Sequence, residues 1–438
     1  MSGLRPIKEA TATDRATRQP EYCPNGELDS DIASLTAFVG AARGAIDEKD
    51  ATAESVRDAR ERFLERHTDA VYDILTDGRR RPVKLQDLLS IAAERFPMLV
   101  PSEAEMARDA DRRQADKLGF EIDQALFVRA LMRSPLSGNH LIESMLIPTK
   151  RATEQLNEFQ RIGRIEFETV ILERRGAVSH VTIANLDSLN AEDMPLLRDM
   201  EAAVDLALLD PETRVGVLRG AEMTHPKYVG RRVFCSGLNL KALRDGRIPV
   251  IAFLVARELG LVNKLRCGLL IADDCGSYRS YLEKPWIAAV DSFAIGGGMQ
   301  LLLAVDSVVA EQNSTFSLPA SKEGFVPGAA NLRLTRFVGA RLARKLILGG
   351  KVLHTHEPEV ALLCDIVVPP DGMDIAIAEA ATQLSSEATL VNRRALMRGE
   401  ESTDDLRRYL SEFALLQASR MHSSDVIEAV EAFGSPRG

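Results

Sequence analysis

The chain has 438 residues, enough for one large domain or for two to three ordinary ones. Hydrophobic residues make up 45% and charged residues 27% of it, ordinary globular values that exclude a wholly disordered or fibrous chain. The 64 acidic residues outnumber the 55 basic ones and give a net charge of −9. This balance argues against nucleic acid or an anionic membrane surface as the main partner, because both need a basic face. A small basic pocket for a phosphorylated ligand is still compatible with it.

Neither a secretory signal nor a membrane span is predicted. The N-terminus has no apolar segment of signal-peptide length, and no run of about 18 apolar residues occurs. The five cysteines are odd in number and form no CxxC pair, so we expect a reduced, cytoplasmic protein. His354 and His356 lie close together without further ligands, which favours a polar turn, and no metal is expected.

The first 164 residues lack strand signals. Residues 1–25 are polar and without periodicity, and we expect a flexible arm there. Over residues 26–164 the apolar positions recur at helical spacing, as Val56, Phe63 and Val71 do. We therefore predict an all-helical N-terminal domain.

Residues 165–370 alternate short strands with helices, which predicts a layered α/β domain. Its expected elements are a hairpin (167–172 and 178–183), a helix from Ala191 to Asp210, a strand at Val215–Leu218, a helical stretch that ends near Tyr281 and a strand at Trp286–Val290. Residues 371–438 return to a helical pattern and are expected to form a C-terminal helical segment.

Two glycine-containing turns follow strands in this region, FCSGLNLK (234–241) and SFAIGGGMQ (292–300). Glycine lets the backbone approach a ligand closely. Two converging N–H groups at such turns can form an oxyanion hole, which stabilises negative charge on a carbonyl oxygen. Taken alone, each turn is more often structural. Neither a GxGxxG nucleotide fingerprint nor a phosphate-binding GK[ST] loop occurs.

Together with a third block, the two turns resemble the crotonase (enoyl-CoA hydratase/isomerase) superfamily. FCSGLNL and AAVDSFAIGGGMQ match the family's turns, with Ser292 where glycine is usual, and FSLP followed by VPGAANLRL matches the third block. The resemblance covers roughly residues 165–370. It implies a crotonase-like spiral of ββα units, an acyl-CoA substrate and assembly into a homotrimer or homohexamer. It also implies that the backbone N–H groups of Leu238 and Gly297 bind the thioester oxygen.

Two departures from the family pattern disfavour a hydratase. Hydratases use two glutamates, and the corresponding positions here are Gln300 and Ala320. An amide and a methyl group cannot act as general acid and base. With its helical N-terminal region, the chain resembles the cofactor-independent arylacetyl-CoA dioxygenase branch of glycopeptide-antibiotic biosynthesis. That branch implies conversion of 3,5-dihydroxyphenylacetyl-CoA and O2 into 3,5-dihydroxyphenylglyoxylate and free CoA through an enolate, without any cofactor.

The resemblance also suggests roles for three polar side chains, each with a structural alternative. Arg257, in the apolar run IAFLVARELG, is expected to bind a ring hydroxyl, or else to pair with an acid such as Glu258 or Asp245. Glu192 is expected to bind a ring hydroxyl or to assist proton transfer; as an acid in the first turn of a helix it could instead only stabilise the helix dipole. Gln300 is expected to orient the thioester or the peroxide, or else to pack within its helix.

The glycines of the two turns are the next candidates. Gly237, Gly296 and Gly298 are expected to contact the substrate through the backbone. A Cβ at Gly297 would enter the space that the thioester needs. Lys241 lies where the family often places a cation near the phosphates of CoA.

Phe325 and Val426 are candidates for the wall of a small, dry pocket that holds O2. Most apolar residues of this kind are simply part of the core, and that alternative stays open.

Two other functions also stay open. A CoA-thioester hydrolase or isomerase on the same fold would turn over without consuming O2. A non-catalytic acyl-CoA-binding protein would release no free thiol.

Overall fold

The computed structural model of the protein describes residues 26–43, 51–272 and 278–432. The arm expected over residues 1–25 lies outside these ranges. Within them, seven helices precede the first strand: α1 (Gly26–Arg43), α2 (Ala51–Thr76), α3 (Leu85–Arg95), α4 (Glu103–Ala110), α5 (Phe120–Arg133), α6 (Pro135–Met145) and α7 (Lys150–Ile162).

The N-terminal helices are stabilised by buried apolar faces and by side-chain caps. On α2, Val56, Phe63 and Val71 are all buried, so the apolar residues at helical spacing form its inner face. Side chains cap the helices: Ser102 and Glu105 form a reciprocal capping box at the start of α4. Such caps satisfy N–H groups that have no partner inside the helix.

Strands and helices alternate in the middle of the chain, as the pattern predicted. The elements are β1 (Arg164–Glu166), β2 (Val170–Arg175), β3 (Val178–Ile183), α8 (Met194–Leu209), β4 (Val215–Gly220), α9 (Leu240–Arg244), α10 (Asn263–Cys267), β5 (Leu269–Ala272), β6 (Tyr278–Leu282), β7 (Trp286–Val290), β8 (Phe293–Ile295), α11 (Gly297–Leu302), β9 (Ser307–Glu311), β10 (Thr315–Ser317), α12 (Ala320–Glu323), α13 (Ala330–Ile347), β11 (Leu353–His354) and β12 (Ile366–Val368).

The main sheet has the strand order β1-β2-β3-β4-β7-β9-β12. The first three strands pair antiparallel, which confirms the predicted hairpin. From β3 onward each pairing is parallel. A smaller sheet, β11-β10-β8, lies beside it, with β8 and β10 parallel. The segment that leads into the first glycine turn lies next to β8, since Cys235 forms a parallel bridge with Ala294.

Two element boundaries differ from the prediction. The helical stretch expected to reach Tyr281 ends at Cys267, and an antiparallel hairpin of β5 and β6 follows. Gly268, at φ 75°, ends the helix, and a Cβ there would lie 2.2 Å from the carbonyl oxygen of Leu282. The helix expected from Ala191 begins only at Met194.

The chain ends in the predicted helical segment, here α14 (Met373–Leu384), α15 (Glu387–Glu400), α16 (Thr403–Met421) and α17 (Ser424–Ala432). Helix α16 packs against α5 and against the π-helical segment Val250–Val255. One continuous hydrophobic core includes residues of the N-terminal helices, the α/β region and these last helices. No helix in the described ranges is both long enough and apolar enough to cross a bilayer.

Candidate active site

A loop in left-handed backbone conformation positions Glu192. Leu189 and Asn190 have φ values of 55° and 56°, which non-glycine residues rarely adopt. The Asn190 side chain holds the loop by donating to the carbonyl oxygen of Val233 at 2.7 Å. Glu192 itself is pinned to the first glycine turn, because its N–H donates to the Gly237 oxygen at 2.7 Å.

Glu192 therefore does not belong to the first turn of α8. Asp193 is the N-cap of that helix, and its carboxylate accepts from the N–H of Leu196. The alternative that Glu192 serves only the helix dipole is wrong, since its carboxylate is engaged elsewhere.

The two glycine turns approach each other closely. The N–H of Ile295 donates to the Cys235 oxygen at 3.0 Å. Gly237 has a φ of 93° and Gly296 a φ of 53°, and a Cβ on Gly296 would lie 3.3 Å from the Cα of Gly237. Glycine is required at both positions by the backbone angle and by this approach.

The N–H groups of Leu238 and Gly297 lie at these turns. Both residues line a cavity of about 820 Å³. Neither N–H donates to a backbone or side-chain acceptor among residues 26–43, 51–272 and 278–432. Two such donors at one cavity can receive the oxygen of a thioester.

An added Cβ on Gly297 or Gly298, the second and third glycines of GGG, would meet another side chain of the protein. A Cβ on Gly298 would lie 2.6 Å from the Cβ of Cys235, and Gly298 is not among the cavity-lining residues. Glycine at this position permits close packing against Cys235, and its expected contact with substrate stays a prediction. A Cβ on Gly297 would lie 1.6 Å from Oε2 of Glu192. The space that such a Cβ was expected to take from the thioester is therefore bounded by this carboxylate.

Arg257 holds Glu192 in a buried ion pair. Its Nε and Nη2 donate to Oε1 of Glu192 at 2.9 and 2.8 Å. Nη2 also donates to the Gly297 oxygen at 2.9 Å, and Nη1 to Glu258 Oε1 at 2.8 Å and Gln300 Oε1 at 3.1 Å. A guanidinium has five N–H donors, and these five bonds use each of them. The geometry favours the predicted alternative, pairing with Glu258, over donation to a ring hydroxyl.

Burial and charge set the ionisation of this pair. Burial raises the pKa of Glu192 above the ordinary glutamate value, although Arg257 opposes the shift. Burial disfavours the charge of Arg257, but Glu192 and Glu258 hold its pKa above the usual range. The guanidinium is thus always charged, and the carboxylate beside it is more basic than one in water.

The remaining candidates line different parts of the cavity, with one exception. Gln300 and Phe325 lie on its wall, and Lys241 lies exposed at its rim. Val426 is fully buried and is not a lining residue; it packs next to Gly324, whose Cβ would meet it at 2.6 Å. Of the two residues predicted to wall an O2 pocket, Phe325 lines this cavity and Val426 does not, and the pocket itself stays a prediction.

Several polar residues of the cavity were not predicted from the sequence, among them Asn185, His225, Glu323 and Gln417. Glu323 lies three residues after Ala320, so it does not occupy the position of the family's second glutamate and the motif does not mark it. Gln417 comes from α16, where no sequence signal indicates a contact with the cavity. Within the described ranges, no group of three or more His, Cys, Asp or Glu side chains could hold a metal ion.

The chain matches a known protein-family model and is similar to several named proteins. A family model described as enoyl-CoA hydratase/isomerase matches residues 277–436. A (3,5-dihydroxyphenyl)acetyl-CoA 1,2-dioxygenase of Amycolatopsis orientalis is 49% identical over 433 residues, which are 99% of this chain and 97% of that protein. A probable enoyl-CoA hydratase of Rhizobium meliloti is 30% identical over 247 residues, 55% of this chain and 85% of the relative.

Solved structures share the fold. An enoyl-CoA hydratase of Mycobacterium avium subsp. paratuberculosis superposes with a TM-score of 0.50 and 24% identity over 61% of this chain and 100% of its own. Pseudomonas aeruginosa OdaA superposes with a TM-score of 0.50 and 23% identity, also over 61% of this chain and over 99% of its own. The crotonase-like fold predicted from the motifs is confirmed, and the chain belongs to the crotonase (enoyl-CoA hydratase/isomerase) superfamily.

Proposed function

We propose that the protein is a dioxygenase that converts (3,5-dihydroxyphenyl)acetyl-CoA and O2 into 3,5-dihydroxyphenylglyoxylate and free CoA. The observation that carries the proposal is the 49% identity to a dioxygenase of that name over 99% of the chain. The hydratase and dehydratase relatives align with only 55% and 62% of it. The site agrees, since Gln300 and Ala320 supply no carboxylate for hydration.

Removal of an α-proton is the first step, and we assign it to Glu192. Its Oε2 lies against Gly297, whose N–H is the proposed thioester donor. The α-carbon is bonded to the thioester carbonyl, so a base beside that donor reaches the α-proton. Arg257 binds Oε1 twice, whereas Oε2 accepts no hydrogen bond from the described residues. Burial raises the pKa of Glu192, which makes it a stronger base.

The two turn N–H groups then stabilise the enolate oxygen. The enolate is shared by the carbonyl and the electron-rich ring, so it can pass one electron to O2, a task that most oxygenases give to flavin or iron. Recombination forms a bond between the α-carbon and oxygen and yields a peroxide. The terminal peroxide oxygen attacks the thioester carbonyl and expels CoA. Loss of the second α-proton and cleavage of the O–O bond give the keto acid, so no outside reductant is needed.

In the proposed reaction, (3,5-dihydroxyphenyl)acetyl-CoA and O2 are the two substrates, and no cofactor takes part. The exposed Lys241 and Arg247 at the cavity rim support binding of the CoA phosphates. A cytoplasmic location, inferred from the cysteine pattern, is part of the proposal. So is assembly into a homotrimer or homohexamer, which rests on the family resemblance alone.

The test is to incubate purified, chelator-treated protein with 3,5-dihydroxyphenylacetyl-CoA under an oxygen electrode and a thiol assay. We expect one O2 consumed for each CoA released. CoA release without O2 uptake would indicate a hydrolase. Binding without either event would indicate a non-catalytic protein, and activity restored only by iron, copper or flavin would contradict cofactor independence.

A further inference from the structure

The steps above give no role to the second carboxylate that binds Arg257. Glu258, the next residue in the chain, is only 2% exposed. Its Oε1 accepts from Nη1 of Arg257 at 2.8 Å, while Glu192 accepts from Nε and Nη2 of the same guanidinium. One positive charge is thus shared by two buried carboxylates. A buried carboxylate in excess of its partner is costly, so a second cation is expected nearby.

That second cation is Arg333, the arginine of the third sequence block. Its Nη1 lies 4.0 Å from Oε2 of Glu258. Its Nε and Nη2 donate to the two carboxylate oxygens of Glu401, which lies between α15 and α16, at 2.9 Å each. These contacts form a buried row of alternating charges, Glu401–Arg333–Glu258–Arg257–Glu192. The row joins the C-terminal helices to the base at the cavity.

The backbone of the third block packs directly over Glu258. Gly328 has a φ of 43°, and a Cβ there would lie 2.4 Å from Oε1 of Glu258 and 2.5 Å from Oε1 of Gln300. The hydroxyl of Tyr409, on α16, donates to the Gly328 oxygen and holds this turn in place. The carboxylate of Glu258 is therefore kept against Arg257 by the fold around it.

Sharing of Arg257 alters the basicity of Glu192, because a second negative charge nearby disfavours ionisation of the first. Burial raises the pKa of Glu192 most, Arg257 lowers it, and Glu258 and Asp193 raise it further. The remaining titratable group that faces Glu192 is Cys235, at the first glycine turn. Burial raises the pKa of this thiol, so it adds no charge of its own.

We propose that Glu258 is a positioning residue, which shares the charge of Arg257 and so keeps Glu192 basic enough to remove the α-proton. The inference rests on the proposed function and adds the residue that tunes its base. Glu258 acts through Arg257 and takes no proton in the reaction. Arg333 and Glu401 offset the cost of burying its charge.

The test compares Glu258→Gln with the wild type in exchange of the α-protons of 3,5-dihydroxyphenylacetyl-CoA with deuterated water, measured by NMR without O2 over a range of pH. Glutamine keeps the volume and can still accept from Arg257, but it carries no charge. The ionised form of Glu192 is the active base, so exchange rises with pH. With Arg257 no longer shared, the midpoint of that rise should move to lower pH. The plateau should fall roughly three- to tenfold, because a weaker base removes the proton more slowly.

The matched control is Glu283→Gln, the same change at another buried carboxylate bound by arginine. Glu283 accepts from Nη1 of Arg393 at 3.3 Å and from Nε of Arg394 at 2.8 Å, and its side chain is 5% exposed. It is not among the described residues that line the cavity. We expect the wild-type midpoint and plateau in this variant.

The midpoint of the exchange profile decides the inference. A lower midpoint in Glu258→Gln supports it. An unchanged midpoint overturns it whatever the plateau does, because Glu258 then acts on shape alone. A higher midpoint overturns it too, because Arg257 has then moved away from Glu192.

A second variant covers failure of Glu258→Gln to fold. Glu258→Asp withdraws the charge by one methylene and must lower the midpoint by a smaller step; an unchanged or higher midpoint overturns the inference. Failure of the proposed base has a different signature, since the wild-type pH dependence would then persist in Glu192→Gln, where Glu258 is intact. Failure of the oxygenase reaction would be seen in the O2 and CoA measurements on the wild type.

Discussion

The two carboxylate oxygens of Glu192 have different surroundings. Oε1 accepts two N–H groups from Arg257, whereas Oε2 lies against Gly297. Such an arrangement orients a base while leaving one of its oxygens available to a proton. General bases contribute typically a hundred- to ten-thousandfold to a rate.

The substitution Glu192→Gln tests whether Glu192 is the base that removes the α-proton. Exchange of the substrate α-protons with deuterated water, measured by NMR without O2, should fall at least about a hundredfold. The ionised form is the active base, so wild-type exchange should rise with pH through the raised pKa of Glu192, and the variant should lose that dependence. Wild-type exchange and pH profile in the variant would rule Glu192 out as the base.

Gly297→Ala tests the contact between the oxyanion turn and this base. A new Cβ meets Oε2 of Glu192 at 1.6 Å and displaces it. We expect CoA release and O2 uptake to fall together by about a hundredfold or more, the scale of a general base's contribution, because the carboxylate of Glu192 is displaced. Gly399→Ala is the control, since a Cβ there meets nothing within 4 Å. A folded Gly297→Ala variant that keeps one of the two activities would show that no single enolate serves both.

For individual residues, the sequence predicts where backbone N–H groups are exposed to a ligand better than it predicts which side chains pair with each other. The glycines of the two turns mark where Leu238 and Gly297 present N–H groups, because backbone geometry depends on local residue type. The pairing of Arg257 with Glu192 joins positions 65 residues apart, and only the assembled fold shows that it uses every guanidinium donor.

Among the elements, the loop before α8 carries strain that its side chains offset. Asn190 is fully buried, has a φ of 56° and donates to the Val233 oxygen. Asn313 has a φ of 69° but is exposed, so it provides a control with similar backbone and no buried bond.

Asn190→Ala should therefore lower the free energy of unfolding more than Asn313→Ala does. The difference should be roughly 1–3 kcal/mol, because the Val233 oxygen loses its side-chain donor inside the protein. Urea unfolding followed by fluorescence measures both variants. Equal losses would mean that the bond to Val233 contributes nothing to the loop.

Element types follow from the sequence where the apolar period is clear, as on α2 and in the β2–β3 hairpin. The β5–β6 hairpin was missed because a short apolar run such as Leu269–Ala272 does not distinguish a strand from a buried helix. The signal that could have found it is Gly268, whose positive φ ends the helix.

For the whole molecule, the shared core is the main structural result. The side chain of Gln114 donates to the Met421 oxygen at 2.9 Å, and Glu121 accepts from the N–H of Val250 at 2.9 Å. These contacts join the N-terminal helices to α16 and to the π-helical segment beside Arg257. Helical content was predictable from the sequence; this docking was not, because it depends on contacts between residues far apart in the chain.

The protein should consequently unfold as one unit. Its single tryptophan, Trp286, is fully buried in β7, so fluorescence reports the main sheet. Far-UV circular dichroism reports chiefly the helices. Under equilibrium urea unfolding both signals should share one midpoint. Two separated midpoints would show that the helical region and the α/β region are independent folding units.

The central claim is that a peroxide derived from the enolate attacks the thioester. The most direct measurement is mass spectrometry of the product formed from 3,5-dihydroxyphenylacetyl-CoA under 18O2. We predict that both atoms of one O2 molecule enter each 3,5-dihydroxyphenylglyoxylate, one in the ketone and one in the carboxylate. A carboxylate oxygen that comes from water instead would show that hydrolysis, and not the peroxide, releases CoA, and would contradict the account.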